Sequence, residues 1–511
     1  MNRQDYFKSI LQISNSKIRT SAPKAGRPPR PLAEKLNPWE WTPPPDKSIA
    51  HRVLIFQYLQ GLPLDETLCV GEDVKATYEC LKKMVAEGSQ APLGPQPQRE
   101  PGTFCPLLNC GSSGTTLRLL TGVLVGKNIP AKLMGNPDLD RRPMQPLIEL
   151  LNSMGGTVEE RWEGLAPGTQ PRRVVIVGTH GALRNIFYRA AGPPSAQVKS
   201  ALLLAAYCGG VEATIEEETP TRDHTERVLE YISPSFVRRG LGKVENTLKN
   251  LPHPNPPLTK GRGLPVDISK IPFPLVGEGQ GEGPPPSNSL PRGEGGVETL
   301  SLPHPLLTKE GGIPGDISSA AFFIVLALLS KDRPLTLRKV GVNPTRMGLV
   351  RTLQTMGANI QVKHEEMSGP EPFSDIEIQP SSLKGILVSS NKISSMIDEI
   401  PILAVAALFA EGKTVIPNLS PLRTKESDRL AALAKELART GACVQIQGDS
   451  LVIKGCQPQP AHFRTYGDHR LAMAFTILSL LLPKGSTIDN TGCVAKSLPD
   501  FYNILKNNLF L

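Results

Sequence analysis

Several short strings along this chain set cations beside small hydroxyl residues and glycines, a combination suited to holding anions. In Asp46-Lys47-Ser48-Ile-Ala-His51-Arg52, Lys47, Ser48 and Arg52 offer two charges and a hydroxyl within six residues. In Cys110-Gly111-Ser112-Ser113-Gly114-Thr115-Thr116-Leu117-Arg118, glycines free the backbone and small hydroxyl residues open a helix, whose N-terminal amides bind anions. The string lacks the Gly-Lys-Ser/Thr of a P-loop. Arg142 precedes Pro143, which is expected as the first residue of a helix. Ser195-Ala196-Gln197-Val198-Lys199 opens an apolar helix to Tyr207, and Thr221-Arg222-Asp223-His224-Thr225-Glu226-Arg227 is a charged cluster. Asp398 and Glu399 head the apolar segment to Phe409, where a half-buried carboxylate suits a general base. Lys425, Asp428 and Arg429 have i, i+3, i+4 spacing, which places them on one helical face; Asp468-His469-Arg470 introduces another apolar helix, and Lys496 lies in Val494-Ala495-Lys496-Ser497. Taken singly, each string serves equally well as a cap or a surface ion pair.

The elements that must position these residues are marked by a recurring octet. Leu151-Asn-Ser-Met-Gly-Gly-Thr-Val158 returns as Leu353-Gln-Thr-Met-Gly-Ala-Asn-Ile360 and as Leu437-Ala-Arg-Thr-Gly-Ala-Cys-Val444. Each follows helix-period apolar residues and leads into alternation, so each reads as a helix stopped by a C-terminal Gly and then a strand. Three copies imply an α/β architecture of repeated helix–strand units. Residues 234–312 break the order: the stretch 251–310 holds 13 prolines and cannot bury enough apolar surface to order itself. Within it Leu258-Thr-Lys-Gly-Arg-Gly-Leu-Pro-Val-Asp-Ile-Ser269 resembles Leu307-Thr-Lys-Glu-Gly-Gly-Ile-Pro-Gly-Asp-Ile-Ser318 at an offset of 49, the pattern of a duplicated insertion.

The 511 residues suffice for two or three domains, and the net charge of +9 suits anionic partners. Aromatic residues are only 5%, which argues against base-stacking nucleic-acid surfaces. The 8 cysteines form no CxxC pair and read as reduced thiols, not metal ligands. No apolar run is long enough for a membrane span, and no signal peptide is visible. Residues 1–35, basic and rich in Ser and Pro, read as a flexible extension, or alternatively as an organelle transit peptide.

In order, Asp46-Lys-Ser-Ile, Ser113-Gly-Thr-Thr, Arg142-Pro-Met, Ser195-Ala-Gln-Val-Lys-Ser, Arg222-Asp-His-Thr-Glu, Gly315-Asp-Ile-Ser-Ser-Ala, Ile397-Asp-Glu-Ile-Pro, Lys425-Glu-Ser-Asp-Arg, Asp468-His-Arg and Val494-Ala-Lys-Ser resemble the 5-enolpyruvylshikimate-3-phosphate synthase type of enolpyruvyl transferase over residues 40–233 and 312–511. Where that family usually has Pro-Gly-Asp-Lys-Ser this chain has Pro45 for the Gly, Ala50 stands for a usual Ser, and Ser112 stands for the usual Asn. The resemblance implies two α/β domains, each of three βαβαββ units, with ligands in the cleft between them. The expected division is 36–46 and 313–511 in one domain, 47–233 in the other, and 234–312 inserted. It implies transfer of the enolpyruvyl group of phosphoenolpyruvate to the 5-hydroxyl of shikimate 3-phosphate, without metal or organic cofactor. Lys47, Ser48, Arg52, Ser195, Gln197, Arg222, Asp398 and Lys425 would hold shikimate 3-phosphate. Lys47, Gly114, Thr115, Arg142, Gln197, Arg429, Arg470 and Lys496 would hold phosphoenolpyruvate. Asp398 would be the base on the 5-hydroxyl, with Glu426 and Lys47 as proton carriers. Partners would be small anions, not nucleic acid or membrane, met by a monomer that is cytoplasmic, or plastid if the extension is a transit peptide. The resemblance also implies sensitivity to glyphosate. The alternatives are the sister transferase acting on a UDP-amino sugar, with its loop cysteine near Cys105 or Cys110, and a catalytically impaired paralogue.

Overall fold

A computed structural model describes residues 39–87, 105–164, 170–190, 195–234, 243–246, 312–330 and 333–509. The N-terminal extension and the first copy of the repeat, 258–269, lie outside these residues.

The described residues form two hydrophobic cores. The first gathers the helices Lys47–Leu59, Glu72–Ala86, Gly114–Gly126, Gln145–Ser153, Ala196–Gly209 and His224–Ile232. Its four-stranded sheet runs in the order Leu107–Asn109, Ala131–Met134, Arg172–Val177, Val158–Glu163. Beside it is a parallel sheet of Ile186–Arg189, Ala213–Glu217 and Lys243–Asn246. The helices Gly114–Gly126 and Ala196–Gly209 are in backbone contact: a Cβ on Gly122 would lie 2.2 Å from the Ala201 carbonyl oxygen. Only glycine allows so close an approach, and it brings the Ser113 and Ser195 ends of these two helices together.

The second core gathers Ile317–Leu329, Gly348–Thr355, Ile400–Leu408, Arg429–Ala438, His469–Leu481 and Phe501–Leu509. Ile317–Leu329 and Ile400–Leu408 are apolar all round and buried all round, as a helix with no solvent face must be. The strand Trp39–Trp41 pairs in parallel with Leu335–Gly341, Trp39 opposite Leu335, so the described residues start on this core before crossing to the other.

Each octet is a helix, a left-handed glycine and a strand. Gly155 (φ 98°), Gly357 (φ 99°) and Gly441 (φ 80°) separate Gln145–Ser153 from Val158–Glu163, Gly348–Thr355 from Asn359–Val362, and Arg429–Ala438 from Cys443–Gln447. A side chain with a Cβ is strained at such angles, hence the glycines.

Two local readings are corrected. The helix after Arg142 starts at Gln145, with Pro146 rather than Pro143 in its first turn. Lys425 is not on a helical face with Arg429: it is extended (φ −86°, ψ −153°), Asp428 is the cap whose carboxylate accepts from the Ala431 amide, and the helix begins at Arg429. The cap won because a carboxylate that takes up a free amide ends a helix more firmly than spacing extends one.

The two crossings between the cores lie side by side. The Asp46 amide donates to the Pro314 carbonyl and the Asp316 amide to the Pro44 carbonyl, each at 2.8 Å. Asp46 and Asp316 cap the helices Lys47–Leu59 and Ile317–Leu329, and Arg346 pairs with both carboxylates at 3.0 and 3.2 Å. Pro45, whose nitrogen has no proton to give, bridges Gly315 within this crossing. The end of the second copy of the repeat is thus built into the core at Asp316 and Ile317.

Candidate active site

A cleft of about 830 Å³ opens between the cores, lined among others by Arg118, Arg142, Gln197, Arg222, Asp398 and Lys425. That volume suits a pair of small-molecule ligands. Four helix starts lie at its walls or just behind them. Ser113 caps Gly114–Gly126 by accepting from the Thr116 amide at 3.1 Å, Ser195 is the cap residue of Ala196–Gly209, Asp398 sits just ahead of Ile400–Leu408, and Asp468 caps His469–Leu481. Helix starts carry unpaired amides and positive potential, so their convergence already favours anions.

Asp398 is the hub. Its Oδ2 accepts from Arg222 at 2.6 Å, and its Oδ1 faces Lys425 at 3.5 Å and Arg429 at 3.7 Å. Burial pushes its pKa up, but Lys425, Arg222, Arg470 and Arg429 outweigh that and hold it well below the usual carboxylate range. Glu426 is a second hub, 2.7 Å from Arg142 in the first core and 2.6 Å from Arg429 in the second. It too is held well below its usual range, since Arg429 and Arg142 outweigh burial. Burial lowers the pKa of Lys425, and Asp398 opposes that. Arg429 is 1% exposed and also pairs with Asp468 at 2.8 Å, which fixes its guanidinium. Arg142 has a buried Nε with no hydrogen-bond partner among the described residues, a donor left for something else.

Of the residues singled out in the sequence, Arg142, Arg222, Asp398, Lys425, Glu426 and Arg429 form this contiguous group. Gln197 joins its edge, donating to Thr115 Oγ1 at 2.9 Å. Gly114 faces the same space: a Cβ there would lie 2.8 Å from one Arg142 nitrogen and 2.9 Å from one of Arg118. Arg470 is buried and 3.6 Å from Glu399. Lys47 pairs with Asp73 at 3.0 Å, and Lys496 with Asp138 at 3.3 Å. Ser48 is buried at the crossing. Arg52 is set apart: it is 4% exposed and donates to the Ser48 carbonyl, Thr225 and Ser200, each at 2.7 Å, within the first core.

Relationships with known proteins bear on this site. The profile of the EPSP synthase (3-phosphoshikimate 1-carboxyvinyltransferase) family matches residues 39–235 and 298–505. The 3-phosphoshikimate 1-carboxyvinyltransferase of Desulforudis audaxviator is 35% identical over 477 residues, covering 91% of this chain and 95% of the relative. That of Parvibaculum lavamentivorans is 36% identical, covering 91% and 92%. The chain belongs to the EPSP synthase family. The EPSP synthase of Acinetobacter baumannii superposes with a TM-score of 0.61 at 28% identity, over 92% of this chain and 96% of that one. The enolpyruvyl transferase NikO of Streptomyces tendae shares the fold, with a TM-score of 0.55 at 17% identity over 93% and 95% of the two chains. The architecture is therefore the two-domain α/β enolpyruvyl transferase fold.

Two residues of this EPSP synthase family member, Arg118 on the cleft wall and the buried His469 near Glu426, lie within strings singled out above, yet were given no part. Arg118 donates to Gln197 Oε1 at 2.6 Å and to the Pro143 carbonyl at 2.8 Å. Burial, then Arg142 and Arg173, lower its pKa to about 10. His469 is buried with neither ring nitrogen bonded among the described residues, and burial lowers its pKa to about 4 despite Glu426. The i+4 spacing of Arg118 from Gly114 was the available signal for the first; none existed for the second. No helix of the described residues is long and apolar enough to cross a membrane.

Proposed function

We propose that this chain transfers the enolpyruvyl group of phosphoenolpyruvate to the 5-hydroxyl of shikimate 3-phosphate and releases phosphate. The observation that carries the reading is the sharing of Asp398 and Glu426, each between cations drawn from both cores. Cations this crowded are relieved by multiply charged substrates, and the names of the relatives give 3-phosphoshikimate as the acceptor of a carboxyvinyl group.

The 5-hydroxyl oxygen adds to C2 of phosphoenolpyruvate while C3 takes a proton; the tetrahedral adduct then loses phosphate and a C3 proton. Ser195, Gln197, Arg222 and Lys425 hold shikimate 3-phosphate, with Ser48 and, behind it, Arg52. Lys47, Gly114, Thr115, Arg142, Arg429, Arg470 and Lys496 hold phosphoenolpyruvate. Asp398 takes the hydroxyl proton, and Glu426 and Lys47 carry protons at C3 and the leaving phosphate. A carboxylate held far below its usual range is a poor base. Substrate phosphate that draws Arg222 and Lys425 toward itself weakens their hold on Asp398 and raises its pKa, so the base is strengthened only when the acceptor is bound. We further infer a monomeric cytoplasmic enzyme, divided near Asp46 and Gly315.

The sister activity on a UDP-amino sugar is not favoured, since the matching family and the relatives are 3-phosphoshikimate 1-carboxyvinyltransferases. Of the two candidate loop cysteines Cys105 is exposed, while Cys110 is fully buried and its thiol is pushed well up by a hydrogen bond with Cys80 and by burial. The test is phosphate release from phosphoenolpyruvate with shikimate 3-phosphate or with UDP-N-acetylglucosamine. Release with the first only is expected; release with neither would leave an impaired paralogue.

A further inference from the structure

Asp138 stands where segments of the two cores meet. It lies in the short helix Pro137–Asp140. Its Oδ1 accepts from Ser112 Oγ at 3.0 Å, and its Oδ2 faces Lys496 Nζ at 3.3 Å. Ser112 Oγ in turn accepts from Asn136 Nδ2 at 3.1 Å. Ser112 belongs to the turn that opens Gly114–Gly126 in the first core, whereas Lys496 ends the Gly492–Lys496 turn of the second. The segment carrying Asp138 is itself clamped: Arg172 bonds Asp140 at 2.6 Å, and Arg173 donates to the Leu139 carbonyl at 2.5 Å and to that of Arg142. One rigid stretch therefore sets both Asp138 and Arg142. The backbone of 496–497 is held in place as well, since a Cβ on Gly71 would lie 3.1 Å from the Lys496 carbonyl oxygen and 3.2 Å from that of Ser497. What remains free in Lys496 is the four-carbon side chain, which points as its partner directs.

An ion pair with side chains 23% and 24% exposed contributes little stability. Its consequence is geometric, because a single carboxylate joins the hydroxyl of the anion-binding turn to an ammonium from the opposite core. We propose that Asp138 is a positioning residue of the phosphoenolpyruvate pocket: it aims Lys496 across the cleft at the Ser112–Gly114 turn. Through it Ser112, standing where the family usually has Asn, contributes to the pocket. The inference rests on the proposed function only in naming phosphoenolpyruvate as the anion that Lys496 meets.

The test uses the full chain with Asp138→Ala, Asp138→Asn and Lys496→Met, alone and combined. In Asp138→Ala the KM for phosphoenolpyruvate should rise about tenfold, with the KM for shikimate 3-phosphate and the melting temperature little changed; in the Lys496→Met background the same change should add nothing. Asp138→Asn, which keeps an acceptor for Ser112 but loses the charge, should fall between. Acetylation of Lys496 by acetic anhydride, followed by peptide mass spectrometry, should be faster once Asp138 is gone. A KM for phosphoenolpyruvate that is unchanged or lower, or effects that add in the double variant, would overturn the proposal. So would unchanged acetylation, a result that needs no turnover. Absence of turnover in the unaltered chain would instead sink the functional reading.

Discussion

Two ionic clusters link the cores, and they are built in opposite proportions. At the crossing, one cation serves two carboxylates: Arg346, 3% exposed, lies between Asp46 and Asp316 and also donates to Ser318 at 2.7 Å. In the cleft, one carboxylate serves three cations: Asp398 faces Arg222, Lys425 and Arg429. The crossing is also surrounded by further acceptors, His224 bonding Glu371 at 2.7 Å and Asn343 bonding Asp223 at 2.7 Å and Glu371 at 3.0 Å. At the crossing both carboxylates find their cation inside the chain, with Arg346 Nε alone of its three nitrogens left unbonded, and such a cluster holds the chain together. A cluster with surplus like charge stores an attraction for something absent from the chain, and costs stability until it arrives. The same chemistry is thus used once for architecture and once for binding, and substitution should separate the two.

The largest effect should come from the cleft hub. Asp398→Asn keeps the size of the side chain and an acceptor for Arg222 but removes the base, and turnover in the phosphate-release assay should fall by about 10²–10⁴-fold. Because the change leaves three cations with less compensation, added inorganic phosphate should raise the melting temperature of this variant more than that of the unaltered chain. Turnover within a few-fold of normal would take Asp398 out of the mechanism. At the crossing the sign of the outcome reverses. Arg346→Met leaves two buried carboxylates without their cation and should cost about 3–5 kcal/mol in urea unfolding. Any protein that remains folded should keep its KM for phosphoenolpyruvate; the KM for shikimate 3-phosphate can shift only through Ser48, whose hydroxyl Arg346 meets at 3.4 Å. A stable variant with an altered KM for phosphoenolpyruvate would show that the crossing is part of that pocket after all.

Acid should distinguish the clusters next. Burial holds His51 at about 3 and His469 at about 4, both neutral at pH 7. In the unfolded chain a histidine takes a proton near 6.5, so below that pH the unfolded state gains protons that the folded state refuses. Stability is full above pH 6.5 and is lost as pH falls, by up to about 1.4 kcal/mol per pH unit for each histidine. At the crossing the two carboxylates oppose each other: burial and then Asp46 raise the pKa of Asp316, a gain in stability as pH falls, whereas for Asp46 burial is outweighed by Arg346, His224 and Arg222, which lower its pKa, a loss as pH falls. The window from pH 6.5 to 5 lies above the carboxylates that Arg and Lys hold low, and reports the histidines. His51→Asn, which retains a partner for the Thr77 hydroxyl 2.7 Å away, should flatten the urea midpoint's fall across it by about half. An unchanged slope would mean that His51 is charged in the folded chain.

What the sequence made legible follows from how locally each feature is determined. The octets were readable because a left-handed glycine after a helix is a local necessity, met at Gly155, Gly357 and Gly441. The cleft cations were readable because their strings occur in the family's order. Lys425 was misplaced since its extended backbone is set by the Asp428 cap and by Asp398 across the fold, neither of which shows in an i, i+4 count. Arg346, in Asn343-Pro344-Thr345-Arg346, and Asp138 carried no signal at all, because their importance lies in partners 300 and 358 residues away.

The smallest effect should come from removing one copy of the repeat. Deleting residues 264–312 joins Gly263 to Ile313 and restores the string Gly-Ile-Pro-Gly-Asp-Ile-Ser that leads into Asp316. The junction suits the structure at two points. Gly312 has φ 54°, where a side chain with a Cβ is strained, and its place is taken by another glycine, Gly263. Its carbonyl, which accepts from Ser368 Oγ at 2.6 Å, is a backbone group that any residue there supplies. The entropy of closing a loop changes by only about 0.6 kcal/mol for each doubling of length, so the shortened connection should be slightly favoured. The deletion variant should therefore keep the turnover, both KM values and at least the melting temperature of the full chain. With Arg346 and Asp398 untouched, a clear loss of stability would place part of the architecture in the deleted residues and end the reading of them as a duplicated insertion. A change in KM without loss of stability would give them a part in the cleft, and the contrast between the two clusters would need a third member.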